Sequence, residues 1–248
     1  MEHWDLFFEI HSNNPREGPG DNKSTKKAFS YLKELASEPI IVDIGCGPGM
    51  QTVQLAKLTD GTIIAIDNHQ PFLDELKKRA EKEGVIEKIK VKNVSVLDLS
   101  FKEKSVDVFW AESSIYIYGF EKGLKDWKKL LKKNGYFVVS ELSWIKSNPP
   151  NECKQFFNEE YPQMNLIEEN IAIIKDLGYD LIHYFEIPKQ SWLDNYYNPL
   201  KIKITSLKKK YYNDKEKLEF LKSQMEEITI FERYNEYYGY VFYIMQRS

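Results

Sequence analysis

The sequence predicts a doubly wound α/β fold, and three observations carry the prediction. Short runs rich in Val and Ile read as strands, segments of helical period separate most of them, and the first run breaks at once into a glycine turn that opens a helix. Near-continuous apolar strands joined by helical crossovers indicate a parallel sheet covered on both faces.

The elements follow in order. After a turn at Gly18-Pro19-Gly20, Asp21 or Ser24 can cap a helix through KKAFSYLKELA, which sets Phe29, Leu32 and Leu35 on one face. The strand IIVDI precedes a helix from about Met50 to Leu58, the strand TIIAID, a helix through PFLDELKKRAEKEG and the strand IEKIKVKNV. Then come the strand VDVFWAE, a helix EKGLKDWKKLLKKNG stopped by Gly135, and the strand YFVVSELSWI. In that helix Leu124, Trp127 and Leu131 form the buried stripe, which leaves the lysines as a solvated face. Past residue 146 lie a helix in NLIEENIAIIKDLGYD, the strand DLIHYFEIP, a Lys- and Tyr-rich helical stretch over about 198–236, and a last strand YYGYVFYIM, so seven strands are expected. A stretch that long between two strands is no hairpin turn, and we expect it to lie over the C-terminal edge of the sheet.

Composition excludes several classes. The chain has 248 residues, 42% hydrophobic and 29% charged, as in an ordinary globular domain. Thirty-five basic residues against 38 acidic ones leave a net charge of −3, with no field suited to nucleic acid. The start has no basic region before its apolar part, and no run of 18 apolar residues occurs, so the expected location is cytoplasmic with no membrane partner. Cys46 and Cys153 give neither a disulfide framework nor a metal-ligand spacing.

The stretch IIVDIGCGPGM places Gly45, Gly47 and Gly49 at alternate positions behind Asp43. A dinucleotide turn would carry its third glycine at position 50, which is Met50, and a pyrophosphate would be repelled by a carboxylate two residues ahead of the turn. Asp43 argues for a cationic ligand. S-adenosyl-L-methionine (SAM), with an ammonium, a sulfonium and no phosphate, meets that requirement. VDIGCGPG closely resembles the first motif of the Rossmann-like (class I) SAM-dependent methyltransferases, and the element order matches from Ile40 to the final strand. The likeness is greatest to the small-molecule branch that includes ubiquinone/menaquinone-type methyltransferases.

The resemblance implies a seven-stranded, mainly parallel sheet with an antiparallel last strand, one domain over 1–248, and SAM turned over to S-adenosyl-L-homocysteine. It assigns Gly45, Cys46, Gly47 and Gly49 to the approach along methionine and ribose, Asp43 to the amino-acid end directly or through water, and Asp67 with Asn68 to the ribose. A carboxylate ending TIIAID can accept from both ribose hydroxyls. For the adenine, either Ser95 and Val96 or Asp98 is in position. Glu112, closing VDVFWAE, falls where relatives touch the methionine part or the acceptor.

Methyl transfer from a sulfonium is an in-line displacement that depends mainly on alignment, so a base is optional. Glu112, Tyr116, His69 and His183 are the groups that could take a proton, with Glu112 and Tyr116 as the catalytic candidates. His183 also reads as a structural histidine, and His69 as a helix cap. Asn148-Pro149-Pro150 resembles the motif of amino-methylating nucleic-acid enzymes, but Asn151 replaces the aromatic residue, and it reads as a Pro-rich loop. The C-terminal tyrosines could wall a pocket for a planar apolar acceptor or an amine. The expected partner is a small-molecule methyl acceptor, a homodimer is left open, and segments 1–22 and 198–236 are expected to form a lid.

Overall fold

The computed structural model describes residues 4–248; the first three residues of the expected lid segment 1–22 lie outside it. Seven strands form one sheet in the order β3-β2-β1-β4-β5-β7-β6. They are β1 (Ile40–Ile44), β2 (Thr62–Asp67), β3 (Ile89–Asn93), β4 (Val106–Glu112), β5 (Leu131–Trp144), β6 (Tyr179–Glu186) and β7 (Tyr238–Arg247). β7 runs antiparallel to both β5 and β6, and the other pairings are parallel. The strand order reverses between β1 and β4, so their C-terminal ends open a crevice at the switch point. Every residue of β4 is buried, as expected of a central strand covered on both faces, whereas the edge strand β6 alternates in burial.

Ten α-helices among the described residues surround the sheet. These are α1 (Trp4–His11), α2 (Asn22–Phe29), α3 (Met50–Leu58), α4 (Gln70–Lys82), α5 (Phe120–Trp127), α6 (Asn151–Glu160), α7 (Ile167–Asp176), α8 (Lys189–Trp192), α9 (Asn198–Lys210) and α10 (Lys215–Tyr234). Asp21 is the cap of α2, accepting from Ser24 N at 2.6 Å. That helix stops at Phe29 rather than continuing through Leu35, because the Ser30 hydroxyl turns back to Lys27 O and the chain tightens into turns.

The helix expected to end at Gly135 also stops early. α5 ends at Trp127, and Leu131 already pairs with Val106 as the first residue of β5. Lys132–Gly135 bulge out of that pairing, with Asn134 at φ 60° and Lys132 tied to Asp107 at 2.8 Å. Nor are all the lysines merely solvated: Lys128 Nζ donates to Leu177 O and Gly178 O at 2.6 and 2.7 Å, closing the end of α7.

Candidate functional site

The glycine turn sits where β1 ends and α3 begins, and its three glycines have positive φ values of 65°, 52° and 82°. Their roles differ. A Cβ on Gly45 would stand 2.5 Å from Ser114 Cβ, and one on Gly49 would stand 2.4 Å from Leu76, so packing demands both. Gly47 has room, its nearest neighbour being Glu17 Cγ at 3.7 Å. Only at Gly47 does the missing side chain leave space for a ligand to approach.

Asp67 ends β2 beside that space. Its Oδ2 accepts from Gly47 N and its Oδ1 from His69 N, both at 2.9 Å. Each carboxylate oxygen keeps a second acceptor direction, so the group can still receive a ribose hydroxyl. Asn68 is exposed alongside it, and Cys46 is buried with its N bonded to Ile66 O at 2.9 Å.

Asp43 lies beneath the turn. It is fully buried, accepts from Thr52 Oγ1 at 2.5 Å on α3, and does not line the pocket above the turn. Burial pushes its carboxyl up to about 7, and its Oδ1 has no protein partner among the described residues. Ser95 and Val96 do not line that pocket either. Ser95 Oγ accepts from Leu97 N at 3.2 Å as the cap of a short turn, while Val96 packs against the core and Asp98 is exposed.

Glu112 is the most heavily engaged carboxylate. Its Oε2 receives Arg16 Nη1 at 2.6 Å, and its Oε1 receives Thr25 Oγ1 at 2.7 Å and Trp110 Nε1 at 2.9 Å. With three donors on it, Glu112 is held in a fixed orientation. Arg16, which the sequence reading did not single out, brings the N-terminal segment onto the crevice. With Glu17, Gly18 and Pro19 it roofs a pocket of about 50 Å³ whose floor is the glycine turn.

A larger cavity of about 220 Å³ adjoins it. Glu17, Gly18, Pro19 and Ser113 line both spaces, so one opens beside the other. Its walls come from Tyr116 and Leu142 near the sheet edge, Phe156 and Tyr161 at α6, Trp192 and Tyr196 after β6, and Glu227 on α10. Tyr116 is half-exposed at 48% and meets Tyr161 edge-on. Behind Tyr161, whose hydroxyl donates to it, the buried Glu141 is pushed up to about 8.

Neither histidine reaches this cavity. His69 makes no side-chain cap; it stacks on Phe8 of α1 with centroids 3.7 Å apart. His183 stacks on Tyr31 at 4.2 Å, a packing role. Asn148-Pro149-Pro150 forms the loop leading into α6.

The fold and the glycine turn together define the class: this is the class I methyltransferase fold, with the crevice at the switch point beside β1. Residues 41–135 match the family described as methyltransferase domain. Sterol 24-C-methyltransferase of Aspergillus fumigatus is 23% identical over 168 residues, 64% of this chain and 45% of that protein. Ribosomal protein L11 methyltransferase of Thermosipho melanesiensis is 29% identical over 126 residues, 50% of this chain and 46% of that protein. The chain therefore spans less than half the length of these curated relatives. A solved SAM-dependent methyltransferase from Thiobacillus denitrificans, in complex with S-adenosyl-L-homocysteine, superposes with a TM-score of 0.84 at 20% identity over 100% of both chains. Residues 41–135 thus resemble a methyltransferase domain, and the whole chain has this fold.

Proposed function

We propose that this protein transfers a methyl group from SAM to a small-molecule acceptor. The observation that carries the reading is the junction of the two spaces: the pocket over the glycine turn and the aromatic cavity share Glu17, Gly18, Pro19 and Ser113. A donor held on the turn and an acceptor held in the cavity would meet at that wall.

The residues fit the donor. Gly47 leaves the only uncrowded approach to the turn, and Asp67 beside it has acceptor capacity for ribose hydroxyls. Arg16 and Glu112 offer a cation and an anion to the zwitterionic end, and Arg16 Nε is buried without a partner among the described residues. Gly45, Cys46 and Gly49 shape the turn, Asp43 braces α3 beneath it, and Asn68, Ser95 and Val96 stand on the adenosine side. SAM supplies a methyl group on a sulfonium, with a neutral thioether as leaving group. The chain's part is alignment, an effect that can contribute about 7–11 kcal/mol. Tyr116 at the cavity edge would orient the acceptor, and Glu112 would position the donor.

Ligand sites commonly span about 300–1,000 Å³. The pocket over the turn holds about 50 Å³, so admitting SAM requires the N-terminal segment to lift. That segment and the insert before β7 touch: Asn195 Nδ2 donates to Gly20 O at 2.9 Å, and Tyr211 OH to Glu9 at 2.7 Å. We read them as the two halves of a lid that excludes water on closing. The insert begins at α8, earlier than residue 198.

A cavity of about 220 Å³ suits a small acceptor better than a macromolecule. The net charge of −3 supplies no attraction for nucleic acid, although a salt-dependent mobility shift with RNA would favour that substrate instead. No helix among the described residues is long and apolar enough to cross a membrane. We place the protein in the cytoplasm, and light scattering would distinguish a monomer from a homodimer. The deciding experiment is methyl transfer from isotopically labelled SAM into metabolite pools, with mass identification of the product. A labelled small molecule is expected; SAM binding with no transfer to any pool would instead support a non-catalytic SAM-binding protein.

A further inference from the structure

We propose that the cavity beside the glycine turn recognises an amine, so that the methyl acceptor is a basic nitrogen. The inference rests on the methyltransferase reading for the word acceptor, but the recognition itself rests on the cavity. Its lining holds three carboxylates, Glu17, Glu160 and Glu227, and no lysine, arginine or histidine. Around them stand the rings of Tyr116, Phe156, Tyr161, Trp192, Tyr196 and Tyr240. Carboxylates and aromatic faces together form a site for an organic cation, since each attracts an ammonium and the rings also cover its carbon skeleton. An anionic or phosphorylated acceptor would meet three carboxylates and no cation in the lining.

Two buried polar groups on the same walls lack protein partners. Trp192 Nε1 and Tyr238 OH belong to side chains 1% exposed and have no hydrogen bond among the described residues. Buried polar groups are ordinarily bonded: the Tyr238 hydroxyl can accept from an ammonium, whereas Trp192 Nε1–H only donates and would be completed by an acceptor atom elsewhere on the ligand. Glu17 adds a third: its Oε2 meets His11 Nδ1 at 2.5 Å, while its Oε1 is buried and unpartnered among the described residues. Glu227 is anchored by Tyr197 OH on Oε1 at 2.7 Å. No group of three His, Cys, Asp or Glu among the described residues is arranged to hold a metal ion.

Other charges bear on these carboxylates. His11 faces Glu17 from α1, Lys203 approaches Glu17 from α9, and Glu141 stands behind Tyr161 on β5. Burial raises both Glu17 and Glu227 above the ordinary carboxylate range, a cost that a bound ammonium would offset. On transfer, the bound ammonium first gives a proton to a carboxylate of the cavity and on to solvent. The freed nitrogen lone pair then forms the new N–C bond as the donor's C–S bond breaks with its electron pair left on sulfur. One proton leaves per methyl transferred.

The test is a calorimetric titration of the full chain with two sets of size-matched probes. One set is 2-phenylethylamine, 2-phenylethanol and phenylacetate; the other is hexylamine, hexanol and hexanoate. In at least one set the amine should bind about tenfold or more tightly than the alcohol, the worth of one charge-assisted hydrogen bond, and the carboxylate should not bind. Glu227→Gln should remove that preference and leave the alcohol unchanged. Glu160→Gln, at an exposed position that cannot threaten folding, should weaken the amine in the same direction. Equal or tighter binding of the carboxylate, binding by none of the six, or equal losses for amine and alcohol in both variants would overturn the proposal. Titrating S-adenosyl-L-homocysteine into the same protein keeps the two readings apart: its failure to bind sinks the donor site alone, and its binding leaves the amine preference to stand or fall separately.

Discussion

Arg16 Nη1 lies 2.6 Å from Glu112 Oε2, and the two side chains are 4% and 3% exposed, so a buried ion pair ties the N-terminal segment to the C-terminal end of β4. Removing one partner of such a pair strands the other charge, at a cost of about 3–5 kcal/mol. Arg16→Met should lower the unfolding free energy by that order. Arg16→Met combined with Glu112→Gln should recover much of it, because Thr25 and Trp110 still bond the amide oxygen. Urea unfolding checks this, and a single variant as stable as the wild type would show that the pair carries no such weight.

The three glycines should respond differently to alanine. At Gly49 the new Cβ would add a collision with Leu76 at 2.4 Å to the strain of φ 82°, a loss of roughly 2–5 kcal/mol. At Gly47 only the backbone strain applies, about 1–3 kcal/mol, while the ligand approach is blocked. Thermal unfolding and a S-adenosyl-L-homocysteine titration should therefore separate a stability defect at Gly49 from a binding defect at Gly47. The same ranking in both assays would contradict the division of roles.

Glu141 predicts a pH dependence of stability. Burial lifts its carboxyl to about 8 from an ordinary value of 4.5, so the folded chain holds this proton more tightly than the unfolded one. The sign follows: the contribution is complete below about 4.5 and is lost as pH rises toward 8. Glu141→Gln carries no titrating proton, so its stability relative to wild type should improve between pH 5 and pH 8, by on the order of a few kcal/mol at most. Parallel unfolding curves at both pH values would show that Glu141 does not titrate in this window.

Closure of the lid should be visible to a protease. Cuts in 4–20 and 189–236 are expected in the free protein, and S-adenosyl-L-homocysteine with an amine should suppress them. An unchanged cleavage map would remove the lid from the account.

Much of this was legible in the sequence because strand runs such as VDVFWAE are buried throughout, and the glycine turn needs backbone angles that only glycine adopts readily. Element ends were less legible. The α2 and α5 boundaries depend on a Ser30 side-chain bond and on the pairing of Leu131 with Val106, neither of which leaves a helical-period signal. The site was half legible: Gly47 and Asp67 are local to the motif, whereas Arg16 and Glu112 are 96 residues apart and meet only in the fold. The acidic lining was missed for the same reason, since Glu17 and Glu227 come from opposite ends of the chain. Nor does the motif reveal that the Asp43 carboxylate accepts a hydrogen bond from Thr52.

The central claim is that SAM binds over the glycine turn with its ribose on Asp67, and calorimetric titration of S-adenosyl-L-homocysteine and NAD into wild type and Asp67→Ala tests it most directly. The account predicts binding of the homocysteine product by the wild type, silence with NAD, and affinity weakened by about 1.5–3 kcal/mol in Asp67→Ala that remains folded by circular dichroism. Tight binding of NAD, or undiminished affinity in the folded variant, would contradict it.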